Sequence, residues 1–126
     1  MDVEPYFPEM IRYYSNIVGK YGVQVQMALK KLGGLDLQRI CPTHGPVWSE
    51  SMERVIDAYR RMSLYEGEQG VSLIFGSMYG NTLLMAESVA EGLVKGGLKN
   101  FTMHKRSRTD PSYLIADAFR FKGLLL

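Results

Sequence analysis

The sequence lacks several features that would assign it at once to a familiar class. It contains a single cysteine, Cys41, so no disulfide can form within the chain, which is typical of a reducing compartment such as the cytoplasm. No apolar run approaches the roughly 20 residues that a membrane-spanning helix requires, and the first residues lack the basic start and apolar core of a signal peptide. We therefore expect a cytoplasmic protein without a membrane segment.

An excess of charge of one sign is also missing. The 15 basic and 13 acidic residues leave a formal net charge of +2, which is too balanced to indicate a nucleic-acid partner. The densest basic run, residues 104–108, is typical of a solvated strand end and loop, and the alternative is a partner surface. The 46% of hydrophobic and 22% of charged residues are typical of a globular chain.

The first half of the chain is predicted to be mainly helical. Apolar residues recur at three- and four-residue spacing from Met10 to Leu32, with Gly19 and Gly22 predicting a kink or break in the middle. Leu37–Cys41 is predicted to be a short strand that enters a proline-rich loop. A second helix follows, for which Ser49 or Ser51 is the predicted cap.

The second half of the chain predicts alternating strands and helices. Residues 66–70 are polar and glycine-bearing, and we interpret them as a linker between parts 1–66 and 67–126. The predicted order is a strand at 71–75, a helix from Leu83 to Val94, a strand at 98–104, a helix that starts at Asp110-Pro111, and a strand at 122–126. This alternation predicts an α/β fold with a parallel sheet, βαβαβ.

A loop suited to an anion follows the first predicted strand. Residues 76–82 read Gly-Ser-Met-Tyr-Gly-Asn-Thr and lead directly into a helix, so backbone N–H groups and side-chain donors can converge on a phosphate. The loop has neither the dinucleotide fingerprint nor the lysine of a nucleoside-triphosphate loop. A bound monophosphate and an ordinary strand-to-helix turn both remain open at this point.

A second constrained loop carries a histidine. Cys41-Pro42-Thr43-His44-Gly45-Pro46 holds His44 between two prolines, which suits a metal ligand as well as a structural loop histidine. The only other histidine, His104, shows no ligand spacing with it. Because no second pair of ligands exists, the sequence argues against a zinc site within the chain.

The loop at residues 77–82 resembles the first FMN-phosphate loop of the flavodoxin family. The resemblance implies that Ser77, Tyr79, Asn81 and Thr82 contact the FMN phosphate. It also implies that the backbone amides of Met78 and Gly80 contribute. In that family two further loops surround the flavin ring, and the sequence ends before either of them would occur.

The two motifs in this order resemble the junction of flavodiiron proteins. In that family a metallo-β-lactamase-like domain with a diiron centre precedes a flavodoxin-like domain. Electrons pass from a small redox protein through FMN to iron, where oxygen or nitric oxide is reduced. The resemblance implies that residues 1–66 are the tail of the metal domain and residues 67–126 the first half of the flavodoxin domain. His44 matches the last diiron ligand, and the other ligands lie upstream in the family.

The resemblance therefore implies an internal fragment of an FMN- and iron-dependent oxidoreductase. We expect the fragment alone to be inactive and to bind neither cofactor tightly. Two alternatives stay open: a non-catalytic flavodoxin-like module that forms a homo-oligomer, and an unrelated phosphate-binding α/β domain.

Overall fold

The computed structural model describes residues 3–126. Its contacts divide the chain into two compact units, the first ending at Glu66 and the second beginning at Gly67. Each unit has its own secondary structure and its own buried residues, and each is described separately below. Within residues 3–126, no helix is both long enough and apolar enough to cross a membrane.

Residues 3–66 of the first unit contain three α-helices. These are α1 (Phe7–Tyr13), α2 (Gly22–Leu32) and α3 (Met52–Ser63). The chain between α1 and α2 stays helical but changes pitch, through a π-helical turn at Tyr14–Val18 and a 3₁₀ turn at Gly19–Tyr21. The predicted break near Gly19 and Gly22 is confirmed, because α-helical geometry is interrupted there and resumes at Gly22, although the change of pitch already begins at Tyr14.

Aromatic side chains fill the centre of the first unit. Tyr14 is fully buried and meets the ring of Tyr59 edge to face, with ring centroids 5.0 Å apart. Trp48 is also buried and contacts Phe7 at right angles, at 6.5 Å. Such edge-to-face pairs add about 0.5–1.5 kcal/mol beyond the area they bury. The Tyr14–Tyr59 pair thus joins the π-helical turn to α3, and the Phe7–Trp48 pair joins α1 to the segment that precedes α3.

Gly22 lies where the start of α2 approaches the end of α3. A Cβ atom at this position would lie 2.6 Å from the backbone carbonyl oxygen of Ser63. Since that oxygen belongs to the backbone, it cannot move aside as a side chain would. The amide of Gln26 also donates to the hydroxyl of Ser63, one turn further along α2.

Two predictions for the first unit are wrong. Leu37–Cys41 forms no strand; only Ile40 pairs, in an isolated antiparallel bridge with Trp48. The prolines that follow lack a backbone N–H and so cannot extend a ladder. Ser51 does precede α3, but its side chain makes no cap hydrogen bond and its backbone is left-handed, with φ 55°.

The second unit is a three-stranded parallel sheet with two helices. The strands are β1 (Glu68–Phe75), β2 (Phe101–Lys105) and β3 (Phe121–Leu125). They are ordered β2-β1-β3, and both pairings are parallel. The helices α4 (Asn81–Lys95) and α5 (Pro111–Arg120) connect them. The predicted α/β fold is confirmed, and this order is that of the first three strands of a flavodoxin-like sheet.

β1 is the central strand and has more buried residues than any other element of this unit. Ser72 is buried on one face of the strand, and Leu73 and Phe75 are buried on the other. Burial on both faces is expected for a parallel strand that is covered on both sides. Leu73 and Phe75 pack with Ala86 of α4, and Leu83 covers their edge.

Some predicted boundaries in the second unit are wrong by a few residues. The expected linker at 66–70 overlaps β1, which already begins at Glu68, and β2 begins at Phe101 instead of Leu98. The polar start of β1 pairs because Glu68 lies opposite Phe121 of β3, a contact invisible in the local sequence. Asp110 caps α5 as predicted, since its carboxylate accepts the N–H of Ser112 at 2.9 Å.

We expect Gly22→Ala to lower the free energy of unfolding by about 1–3 kcal/mol, because the new methyl group must push α2 away from the Ser63 carbonyl. Urea denaturation followed by circular dichroism measures this loss. Gly33→Ala, at the other end of α2, is the matched control. Its Cβ would meet only ordinary contacts at 3.6 Å and its φ is −62°. Equal stability of the two variants would contradict the close approach.

Candidate functional site

The loop between β1 and α4 is closed by a serine. The Ser77 Oγ accepts a hydrogen bond from the backbone N–H of Gly80 at 3.0 Å. Gly80 has a φ of 93°, a left-handed conformation that glycine adopts without strain. Because the Ser77 oxygen acts as an acceptor in this bond, its hydroxyl proton remains available for an anion.

The start of α4 opens onto this loop. Gly80 occupies the N-cap position and has no side chain that could accept a hydrogen bond from the N–H groups of the first turn. The first N–H groups of an α-helix have no partner within the helix, and the helix dipole adds positive potential at this end. Asn81 and Thr82 lie exposed in the first turn, so their side chains can add donors to those of the backbone.

The loop also lies where the strand order reverses. β2 lies on one side of β1 and β3 on the other. In open parallel sheets, ligands bind in the crevice at the carboxyl ends of the strands on either side of such a point. The structure thus brings the predicted residues Ser77 to Thr82 together at the carboxyl end of β1. This position suits an anionic ligand.

A polar network lies between the sheet and α5. It was not predicted from the sequence. Asp117 of α5 accepts from the hydroxyl of Thr102 at 2.6 Å and lies 2.7 Å from Nε2 of His104. The hydroxyls of Thr102 and the fully buried Ser72 are 3.1 Å apart. These contacts connect β1, β2 and α5. Thr102 and His104 alternate along β2, which is the one signal that could have placed them on a common face.

His104 and Asp117 are largely shielded from water. Their side chains are 21% and 14% exposed, respectively. A carboxylate that accepts two hydrogen bonds in such surroundings offsets part of the cost of its own burial. The network stabilises the packing of α5 on the sheet. It therefore also stabilises the strands at whose carboxyl ends the loop lies.

The histidine loop of the first unit is closed at its base. Ile40 and Trp48 exchange two backbone hydrogen bonds, each 2.9 Å long. Between them the loop holds His44 exposed to solvent, with its ring 5.6 Å from that of Tyr13. Cys41 is free and exposed. The geometry fixes the ends of the loop and leaves the imidazole accessible to a ligand.

Burial raises the pKa of two tyrosines in the first unit. Burial, and then the neighbouring Tyr13, raises the pKa of Tyr59. Burial also raises the pKa of Tyr14, with further contributions from Tyr65 and Tyr59. Both hydroxyls therefore stay protonated at neutral pH.

Metal ligands do not cluster in the structure. Within residues 3–126, no group of three or more histidine, cysteine, aspartate or glutamate side chains could hold a metal ion. His44 and His104 belong to different units. The ligands present therefore do not make up a metal centre, although His44 could contribute one ligand to a site completed by other residues.

Sequence comparisons find relatives along the chain. An anaerobic nitric oxide reductase flavorubredoxin of Escherichia coli is 25% identical over 132 aligned residues, which cover 100% of this chain and 27% of the relative. An uncharacterised protein of Methanocaldococcus jannaschii is 31% identical over 87 residues, covering 69% of this chain and 22% of the relative. The chain thus spans about a quarter of the length of these relatives. No family model matches the sequence.

Solved structures share the fold. Rubredoxin oxygen:oxidoreductase of Desulfovibrio gigas superposes with a TM-score of 0.84 at 22% identity, over 98% of this chain and 32% of that one. The flavodiiron protein of Giardia intestinalis gives a TM-score of 0.77 at 25% identity, over 85% of this chain and 26% of that one. Together, the sequence matches and the shared fold identify the chain as a relative of the flavodiiron proteins.

Proposed function

We propose that the chain is part of a flavodiiron oxidoreductase and spans the junction of its two domains. Residues 1–66 correspond to the end of the metallo-β-lactamase-like domain and residues 67–126 to the beginning of the flavodoxin-like domain. Relatives that align along the whole chain support this assignment, as does the strand order β2-β1-β3. The parent enzyme would pass electrons from a small redox protein to a centre that reduces oxygen or nitric oxide.

The observation that carries the proposal is the loop of residues 77–82 at the uncapped start of α4. Its donor set fits the phosphate of FMN: the hydroxyls of Ser77 and Thr82, the amide of Asn81, and the backbone N–H of Met78. The N–H of Gly80, in contrast, already donates to Ser77. The side chain of Tyr79 is 88% exposed, so its hydroxyl can also reach a ligand at this loop. Bound FMN supplies one- and two-electron transfer. The residues of this chain bind the phosphate and orient the cofactor at the carboxyl ends of the strands.

The diiron centre belongs to the proposed parent enzyme and not to this chain alone. His44 would supply one ligand, and the described residues offer no cluster that completes a site. We therefore assign no reaction step to iron here and propose that the chain alone is inactive. We also propose a cytoplasmic location, because the single cysteine requires no oxidising compartment.

A second candidate function is association through the sheet. Within the part of the chain that the structure describes, β3 pairs with β1 alone, and its Leu124 and Leu125 are 46% and 41% exposed. An open strand edge with apolar side chains favours pairing with another chain. This observation supports a homo-oligomer, in which the chain would act as a non-catalytic module.

We expect Ser77→Ala to weaken FMN binding about five- to tenfold, because one hydrogen bond to the phosphate and the closing bond to Gly80 are lost. Quenching of flavin fluorescence measures the affinity, and riboflavin, which lacks the phosphate, should show no such change. Ser88→Ala is the matched control, since Ser88 lies further along α4 and bonds the Leu84 carbonyl. Equal loss for riboflavin and FMN would rule out phosphate recognition.

Inorganic phosphate should compete with FMN for the loop. Binding of any phosphomonoester as tightly as FMN would favour an unrelated phosphate-binding domain.

We expect anaerobic reconstitution with ferrous iron to leave well under one iron per chain, because one exposed histidine cannot hold the ion through gel filtration. Plasma emission spectroscopy measures the ratio. His44→Ala should not change it, and two retained irons per chain would show that the site is complete within these 126 residues.

Sedimentation equilibrium tests the association candidate. If the β3 edge pairs with a second copy, the apparent mass should rise with concentration towards twice the 14.3 kDa of one chain. A folded monomer at all concentrations would exclude that role.

A further inference from the structure

The candidate phosphate loop has no positive side chain of its own. Residues 76–82 are glycine, serine, methionine, tyrosine, asparagine and threonine, so every donor that they offer is neutral. A phosphomonoester carries a charge of about −1.5 to −2 at pH 7. Neutral donors orient such a group, but hydrogen bonds from a cation to it are roughly twice as strong. A cation for this loop has to come from another element of the fold.

Lys105 lies at the end of β2, beside the end of β1. Its register partner is Phe75, the residue that directly precedes the loop. The backbone of Lys105 is still extended, with φ −79° and ψ 114°, and neighbouring strands lie about 4.8 Å apart. The base of the lysine side chain is therefore about one strand spacing from the start of the phosphate loop.

The lysine lies on the face of the sheet that α4 covers. Side chains alternate between the two faces along a strand. Ser72 and its register partner Thr102 lie on the face of α5, because their hydroxyls meet there. Three residues further along each strand, Phe75 and Lys105 lie on the opposite face. Phe75 packs there against Ala86 of α4, so the lysine shares a face with the helix that begins at the phosphate loop.

The ammonium group of Lys105 is not neutralised by the described residues. Within residues 3–126, no carboxylate forms an ion pair with Lys105, whereas Arg60 pairs with Asp57 and Lys95 with Glu91. Because α4 connects β1 to β2, its first turn lies at the carboxyl ends of these strands, and the helix dipole adds positive potential there. Two positive features therefore share one location, and an anion bound between them relieves their repulsion.

We propose that Lys105 supplies the cation that the phosphate loop lacks, so that the site selects a dianionic phosphomonoester. The proposal rests on the proposed function, because it adds a binding residue to the loop assigned to the FMN phosphate. A lysine ammonium is a compact charge on a flexible stem, which suits a residue that reaches across from a neighbouring strand. The loop supplies the geometry of the site, and β2 supplies its charge.

The test compares three variants of the full chain. Lys105→Gln removes the charge and keeps a long polar side chain, and Lys105→Arg keeps the charge. Lys99→Gln is the matched control, since Lys99 is exposed and lies just before β2, at the opposite end of the same strand. Both glutamine variants remove one positive charge from the formal net charge of +2. Quenching of flavin fluorescence measures the affinity for FMN and for riboflavin, and circular dichroism checks that each variant is folded.

We expect Lys105→Gln to weaken FMN binding about fivefold or more at low salt, because a charge-assisted hydrogen bond to the phosphate is lost. Riboflavin binding should not change, Lys105→Arg should retain most of the FMN affinity, and Lys99→Gln should change it less than about twofold. The difference between wild type and Lys105→Gln should shrink at about 0.5 M salt. Equal weakening by the two glutamine variants, an equal loss for riboflavin, or no effect of Lys105→Gln overturns the proposal.

Failure of Lys105 can be told apart from failure of the phosphate loop. If the wild type prefers FMN to riboflavin and Ser77→Ala reduces that preference while Lys105→Gln does not, the loop assignment stands and the role of Lys105 is overturned. If Lys105→Gln reduces the preference and Ser77→Ala does not, the lysine binds the phosphate and the loop does not. If the wild type binds the two flavins equally, both assignments are wrong.

Discussion

The parallel pairing of β1 with strands on both of its sides is the constraint on which the second unit depends. β1 lies between β2 and β3, so its side chains are buried on both faces and its carboxyl end opens at the point where the strand order reverses. Because β1 is central, Ser77 lies next to the start of α4, and the end of β2 lies beside the end of β1. The candidate phosphate loop and the polar network both follow from the same register.

The polar network shows how such a sheet holds its helix in place. Asp117 of α5 bonds to Thr102 and lies beside His104, and both of these belong to β2. A buried carboxylate is costly unless it is hydrogen-bonded, so these contacts specify one arrangement of helix and strand. The first unit uses aromatic packing for the same purpose, with Tyr14 against Tyr59 and Trp48 against Phe7.

Local sequence predicted the elements whose causes are local. The strand at 71–75, the loop from Gly76 and the Asp110 cap follow from apolar runs, glycine and capping chemistry, and all three are present. The loop ends earlier than predicted, because α4 begins at Asn81 and not at Leu83. Leu37–Cys41 failed as a strand because strand formation requires a partner, and Ile40 alone finds one in Trp48. Glu68 joined β1 for the opposite reason, since β3 supplies a partner to a polar residue.

By itself, then, the sequence determined the α/β class, the glycine-rich loop with its donors, and the resemblance of the chain to flavodiiron proteins. These depend on spacing and residue type, which the chain carries in order. Only the tertiary structure decided that β1 is central, that Ser77 closes the loop onto Gly80, and that Asp117 meets Thr102 and His104. The physical reason is that strand order and register join residues about 30 positions apart, as Phe75 and Lys105 are, and no local pattern records which strands will pair.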